Sequence, residues 1–204
     1  MSDTMVGKWP HHVGCQPAPY GDEASYCAGA EWLKGLSRVD DRGCGLAWFE
    51  RVMWKVDPAC YVANLDGSGG PGSNRQIVDL AQYVSPLSGV PGIFMRHVLE
   101  HNHEWKAVLE CACKSFTKRM FLVLFTPLCP ECDPGPHDLY AAKFNPAHCP
   151  TCPPDHPGSR YVAWSFRESD ITNILKSHDL KWTRETILSP KVEFNLEHLF
   201  RIER

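Results

Sequence analysis

Apolar and polar positions along this chain follow two different periods. Short runs rich in apolar residues fall at Ser37 to Asp41, Tyr61 to Asp66, Gln76 to Leu80, Gly92 to His97 and Arg119 to Thr126, and each is an expected strand. Stretches of helical period lie between them, at Leu46 to Lys55 and His103 to Phe116. The second places Trp105, Val108, Leu109, Ala112 and Phe116 on one stripe. A further helix is expected from Asp22 to Leu36, where Tyr26, Ala30 and Leu33 recur near helical spacing and Gly35 stands where a helix tends to end. Strands alternating with helices predict an α/β fold, a parallel sheet with helices on both faces.

Two stretches interrupt the alternation. Residues 1–19 are rich in Pro, Gly and His without a period, and are expected to form an irregular N-terminal arm. Residues 128–160 are crowded with Pro, Cys, Gly and His and too long for an ordinary connection, and are therefore read as either a functional insertion or a mobile loop. Beyond it, Ser165 and Glu168 fit a capping box, and Ile171, Ile174 and Leu175 share one helical face. The closing "VEFNLEHLFRIER" alternates well enough for two strands or a hairpin. Residues 1–204 are expected to form a single domain, a size at which one core can be buried.

Composition narrows the function classes. Hydrophobic residues make up 43% and charged residues 22%, ordinary for a soluble globular protein. The net charge of -3 and the lack of a long basic run argue against nucleic acid as the main partner, because such binding needs clustered Lys and Arg. The longest apolar run, "MFLVLF", has the length of a strand, so no membrane partner is expected. The first residues lack the apolar core of a signal peptide, which predicts a cytoplasmic protein. Its ten cysteines are then not read as a disulfide framework.

The stretch "VDDRGCGLAWF" carries the first chemical signal. Gly43 and Gly45 sit between an expected strand and an expected helix, where bare backbone and free N–H groups can meet a ligand. A dinucleotide site would need a third glycine at the position held by Trp48. S-adenosylmethionine (SAM) makes a different demand: a cationic sulfonium, an ammonium and a ribose diol. Asp41, two residues before the first glycine, suits the cationic part. Asp66, about 20 residues on, is placed to accept from ribose hydroxyls, and Asp79 to end the third strand near the adenine amine.

In order, "YGDEASY", "VDDRGCGLAWF", "YVANLDGS", "IVDL", "GIFMRHVLEHNHEWKAVLECACKSF", "RMFLVLFTP" and "SFRESDI" resemble the motifs of a class I SAM-dependent methyltransferase of the small single-domain type. The resemblance spans roughly residues 20 to 126 and resumes near 161. It implies a Rossmann-like, seven-stranded, mostly parallel sheet with an antiparallel last strand. It implies SAM lying across the strand ends, contacted by Tyr20, Asp41, Gly43, Cys44, Gly45, Asp66, Gly67, Asp79, Leu80 and His97. The chain departs from the family at Ala47, where many members carry a third glycine and where a small alanine is expected to do little harm. It also departs at Arg42, a bulky charge in the turn itself.

The implied reaction is an in-line displacement of the methyl group by an acceptor on a small molecule or sugar, through O, N or C. The protein mainly aligns and desolvates, with a base helping a hydroxyl or carbon acid. Among His97, Glu100, His101 and His103, the first choice for that base is His101, since imidazole titrates near neutrality. Tyr20 and Tyr26 are placed to close over the cofactor, with packing the favoured role for Tyr26. In the insertion, Cys129, Cys132, Cys149 and Cys152 give two C-x2-C pairs sixteen residues apart, the spacing of a structural Zn2+ site. The competing readings are an NAD(P)-dependent oxidoreductase and a non-catalytic binding module using the zinc loop. The acceptor and the oligomeric state are not legible.

Overall fold

The computed structural model describes residues 23–67, 74–86, 89–102, 104–126, 128, 136–138, 162–190 and 195–204. Among these residues, seven strands form one sheet in the order β3-β2-β1-β4-β5-β9-β8. In chain order they are β1 (Arg38–Arg42), β2 (Tyr61–Asp66), β3 (Gln76–Ile77), β4 (Val90–Arg96), β5 (Phe116–Leu124), β8 (Lys181–Leu188) and β9 (Leu196–Glu203). Two short strands outside the sheet, β6 (Pro136–Asp138) and β7 (Val162–Trp164), pair with each other. Strands β1 to β5 pair in parallel, and β9 is antiparallel to both β5 and β8. This is the expected Rossmann-like architecture with its antiparallel last strand.

Helices cover both faces because the central strands β2, β4 and β5 are buried on both sides. On one face, α1 (Ala24–Leu33) and α2 (Trp48–Val56) cover Val39, Val62, Phe94, Phe121, Val123 and Leu199. Phe49 of α2 stacks on Phe94 at a centroid separation of 3.8 Å, locking helix to sheet. On the other face, α3 (Trp105–Ser115) and α4 (Glu168–Ser177) cover Ile93, Met95, Met120, Leu122, Leu124, Phe200 and Ile202. The stripe read along α3 is buried as expected, although its last member, Phe116, opens β5 instead of closing the helix.

The elements differ from expectation in three places. The third strand ends at Ile77, and Asp79 and Leu80 fall in the turn after it. The N-terminus of α4 is built two residues later than the Ser165–Glu168 box: the Arg167 N–H donates to Asp170 Oδ2 at 3.3 Å. The closing segment forms one strand, β9, and its hairpin partner is β8, which period alone does not reveal because this edge strand is exposed along most of its length. The arm at 1–19, Tyr20 and the four insertion cysteines lie outside the described residues.

Candidate active site

Parallel strands bring their carboxyl ends to one rim of the sheet, and the turn from β1 to α2 sits on that rim. Gly43 has φ +74 and Gly45 φ +51. The N–H groups of Gly43 and Cys44 both donate to the carbonyl of Leu65, at 2.7 and 3.2 Å, continuing the β1–β2 pairing into the turn. The two glycines serve different ends. A Cβ on Gly43 would lie 2.3 Å from Val98 Cγ2, so this position must be bare for the chain to pack. A Cβ on Gly45 would meet nothing within 4 Å, so here bare backbone faces open space. Ala47 also has positive φ, 57°, which puts a Cβ into the left-handed region at about 1–2 kcal/mol. Alanine at this position is therefore strained, against the expectation that it does little harm.

Alternation along β1 sends Asp41 towards α1 and α2, and Arg42 to the opposite face. Arg42 is fully buried there. It donates to the Tyr83 carbonyl at 3.2 Å and to Ser85 Oγ at 3.1 Å, and Ser85 Oγ donates on to Asp40 Oδ2 at 3.0 Å. Arg42 thus closes β1 instead of standing in the turn itself, points away from the glycines and ties β1 to the segment after β3.

Asp41 is 3% exposed, and its carboxylate has no hydrogen-bond partner among the described residues. Burial pushes its carboxyl well up, and the neighbouring carboxylates of Asp66 and Glu50 push it further. Those two neighbours are supported. Asp66 Oδ2 accepts from the Gly45 N–H at 2.9 Å and lies 3.8 Å from Arg75 Nη2, while Arg75 Nη1 donates to the Gly45 carbonyl at 2.8 Å. Glu50 Oε2 accepts from Asn64 Nδ2 at 2.9 Å. Cys44 is buried in the same turn, and burial, with Asp41 and Asp66 beside it, raises its thiol so that it stays protonated. Gly67 follows, half-buried. Asp79 spends its carboxylate on its own turn, accepting from the Ala81 N–H at 3.0 Å and Gln82 Nε2 at 2.9 Å, and Leu80 beside it is buried.

A second cluster occupies the rim at β4 and β9. Glu197 Oε1 accepts from Arg96 Nη2 at 2.7 Å and from Ser25 Oγ at 3.1 Å, and lies 2.6 Å from His97 Nε2. Arg96 Nε donates to Ser25 Oγ at 2.9 Å, and its guanidinium lies 4.4 Å from the centroid of the Tyr26 ring. His97 sits at φ 55 and is buried, and desolvation followed by the Arg96 charge lowers its imidazole to about 3, so it is neutral. Glu100, on the short 3-10 turn Leu99–His101, is fully buried and accepts from the Phe125 N–H at 2.6 Å. Burial pushes its carboxyl up to about 8. His101 is half-buried on the same turn, its ring 5.5 Å from that of Phe125.

The structure therefore gathers Asp41, Gly43, Cys44, Gly45 and Asp66 around one turn, and sets His97 and His101 against Phe125 at the neighbouring strand ends. Glu50, Arg75, Arg96 and Glu197 belong to the same rim and were not singled out in the sequence. Glu50 carries a faint signal, an acid in the first turn of the helix after the glycines; the other three carry none. Among the described residues no group of three or more His, Cys, Asp or Glu is placed to hold a metal, and no helix is long and apolar enough to cross a membrane.

No protein-family model and no curated protein matches the sequence. The fold, in contrast, has many likenesses among solved structures. The 1,6-didemethyltoxoflavin-N1-methyltransferase of Burkholderia thailandensis, solved with S-adenosylhomocysteine, matches at TM-score 0.61 and 14% identity, over 90% of this chain and 79% of that one. A SAM-dependent methyltransferase from Mesorhizobium loti matches at TM-score 0.59 and 14% identity, over 94% and 100%. The magnesium protoporphyrin IX methyltransferase of Synechocystis PCC 6803, solved with SAM, matches at TM-score 0.56 and 16% identity, over 89% and 79%. The chain has the fold of the class I SAM-dependent methyltransferases. These likenesses give the nicotinamide alternative no support.

Proposed function

We propose that the protein is a SAM-dependent methyltransferase acting on a small-molecule or sugar-like acceptor. The observation that carries this reading is the turn after β1: bare backbone at Gly45 opens onto space beside a buried carboxylate, Asp41, that has no hydrogen-bond partner among the described residues. A cationic nucleoside fits such a place, and a pyrophosphate, doubly negative, would face three carboxylates there. When bound, SAM supplies a methyl group already activated on a cationic sulfur.

The chain's own residues then have these tasks. The backbone from Gly43 to Gly45 and the residues Cys44 and Gly67 form the bed. Asp41 offsets positive charge, and Asp66 accepts from the ribose while fixing the Gly45 amide. Asp79 and Leu80, in the turn after β3, are assigned to the adenine edge, and Tyr20 to the covering arm. His97, neutral and packed on Phe125, walls the far side. His101 is the proposed proton acceptor for a hydroxyl or carbon acid, standing half-buried on the 3-10 turn. Cys129, Cys132, Cys149 and Cys152 are proposed to hold a structural Zn2+; four thiolates leave no open position for catalysis. A cytoplasmic location follows from the same reading.

Native mass spectrometry of freshly purified protein tests it. The expected spectrum carries SAM or S-adenosylhomocysteine, with one zinc that is lost on treating the four cysteines with a thiol reagent. A protein that ignores added SAM and instead retains a nicotinamide cofactor would overturn the reading.

A further inference from the structure

This inference rests on the cofactor reading above and goes to how the cofactor's charge is recognised. The groups facing Asp41 come from four elements and two connecting segments. Asp66 stands on β2 and Glu50 on α2; Arg75 precedes β3; Arg96 ends β4; Tyr26 comes from α1; and the Cys44 thiol lies in the glycine turn. Their charges are already committed. Arg75 is engaged with Asp66 and the Gly45 carbonyl, and Arg96 with Glu197 at 2.7 Å. Glu50 takes the amide of Asn64. Tyr26 and Cys44 are both held in their neutral forms, chiefly by burial. That leaves Asp41 as a third carboxylate beside two others, 3% exposed and without a hydrogen bond from the described residues.

An isolated buried carboxylate is far from its lowest free energy, and such a site takes up a positive charge from whatever supplies one. We infer that Asp41 is a charge-exchange residue: in the free protein it carries a proton, and in the complex the cationic centre of the cofactor takes that proton's place. The exchange balances as a neutral carboxylic acid and a cation giving an ion pair and one proton released to solvent. It has a consequence for selectivity. A ligand without a cationic centre gains nothing from Asp41, which then keeps its proton. Affinity for the cationic cofactor rises with pH until the acid is ionised in the free protein. The rise is up to roughly tenfold per pH unit, the limit for one exchanged proton.

Calorimetric titration of the full-length protein tests this, using SAM and S-adenosylhomocysteine as separate probes. Each is run near neutral pH in two buffers of very different ionisation enthalpy, such as phosphate and Tris. The expected result is a buffer-dependent heat for SAM that corresponds to as much as about one proton released per site, shrinking as the pH is raised. Release with both ligands assigns the cation as their shared ammonium; release with SAM alone assigns it as the sulfonium. Asp41→Asn should bind more weakly and lose the buffer dependence. Binding of SAM with the same heat in both buffers overturns the exchange while leaving the cofactor reading in place. So does proton release that persists in Asp41→Asn. Failure of both ligands to bind overturns the cofactor reading, and the exchange with it.

Discussion

Two buried acids on the same rim of the sheet are treated in opposite ways. Glu197 is surrounded: one of its oxygens is approached by Arg96, Ser25 and His97. Asp41, from β1, has other carboxylates as its neighbours and no donor bonded to it among the described residues. Burial works against ionisation in both. At Glu197 the partners win and the carboxyl is lowered, whereas at Asp41 burial wins and it is raised. A carboxylate met by its own protein's donors holds the fold together, here through Oε1 of Glu197, which fastens α1 to β4 and β9. A charge left unsatisfied by the protein is available to a ligand. The contrast assigns structure to Glu197 and binding to Asp41.

The contrast breaks most visibly if Glu197 is removed. Glu197→Ala leaves the Arg96 guanidinium, only 4% exposed, without its carboxylate, and should destabilise the fold by about 3–5 kcal/mol in denaturant unfolding. Asp41→Asn should do the reverse: no lowering of the melting temperature, but a loss of SAM affinity of about tenfold to a hundredfold in a binding titration, the worth of one charge-assisted contact.

At neutral pH a third effect is silent, and it emerges only on acidification. His97 is neutral in the native protein, with an imidazole lowered to about 3, against roughly 6.5 in the unfolded chain. Its contribution to stability is therefore fully present above the unfolded value. It is lost as pH falls from there towards 3, by at most about 1.4 kcal/mol per pH unit. In His97→Asn, a replacement that accepts positive φ, urea midpoints measured across that window should show a flatter pH dependence. The smallest change expected is at Ala47. Ala47→Gly relieves the left-handed backbone at φ 57 and should raise stability by about 0.5–1 kcal/mol, net of glycine's greater unfolded-state entropy.

The sheet's parallel half was legible because β2 and β4 are short apolar runs closed by a polar residue and β1 leads straight into the glycines, so Asp41 and Asp66 could be placed near strand ends by counting. The glycine turn was legible for the same reason: nothing but turn chemistry explains two glycines between a strand and a helix. What period could not reveal was direction and partnership. Arg42 follows Asp41, and alternation alone sends the two to opposite faces, but only packing shows that Tyr83 and Ser85 receive the arginine. Glu197 lies 172 residues from Ser25 and 101 from Arg96, a distance across which local patterns carry nothing. Strand β8 was missed because an exposed edge strand has no apolar face to read. Asp79 shows the limit of counting acids, since it stands near the right rim yet its carboxylate caps its own turn.

The central claim is that the turn around Gly45, and not the cluster around Glu197, receives the cofactor. Backbone amide NMR spectra of the labelled protein, recorded with increasing SAM, test it most directly. The account predicts saturable shifts concentrated at Gly43, Cys44, Gly45 and Asp66, with Ser25 and Glu197 little changed. Shifts centred on Ser25, Arg96 and Glu197 with the glycine turn silent, or no saturable shift at all, would contradict it.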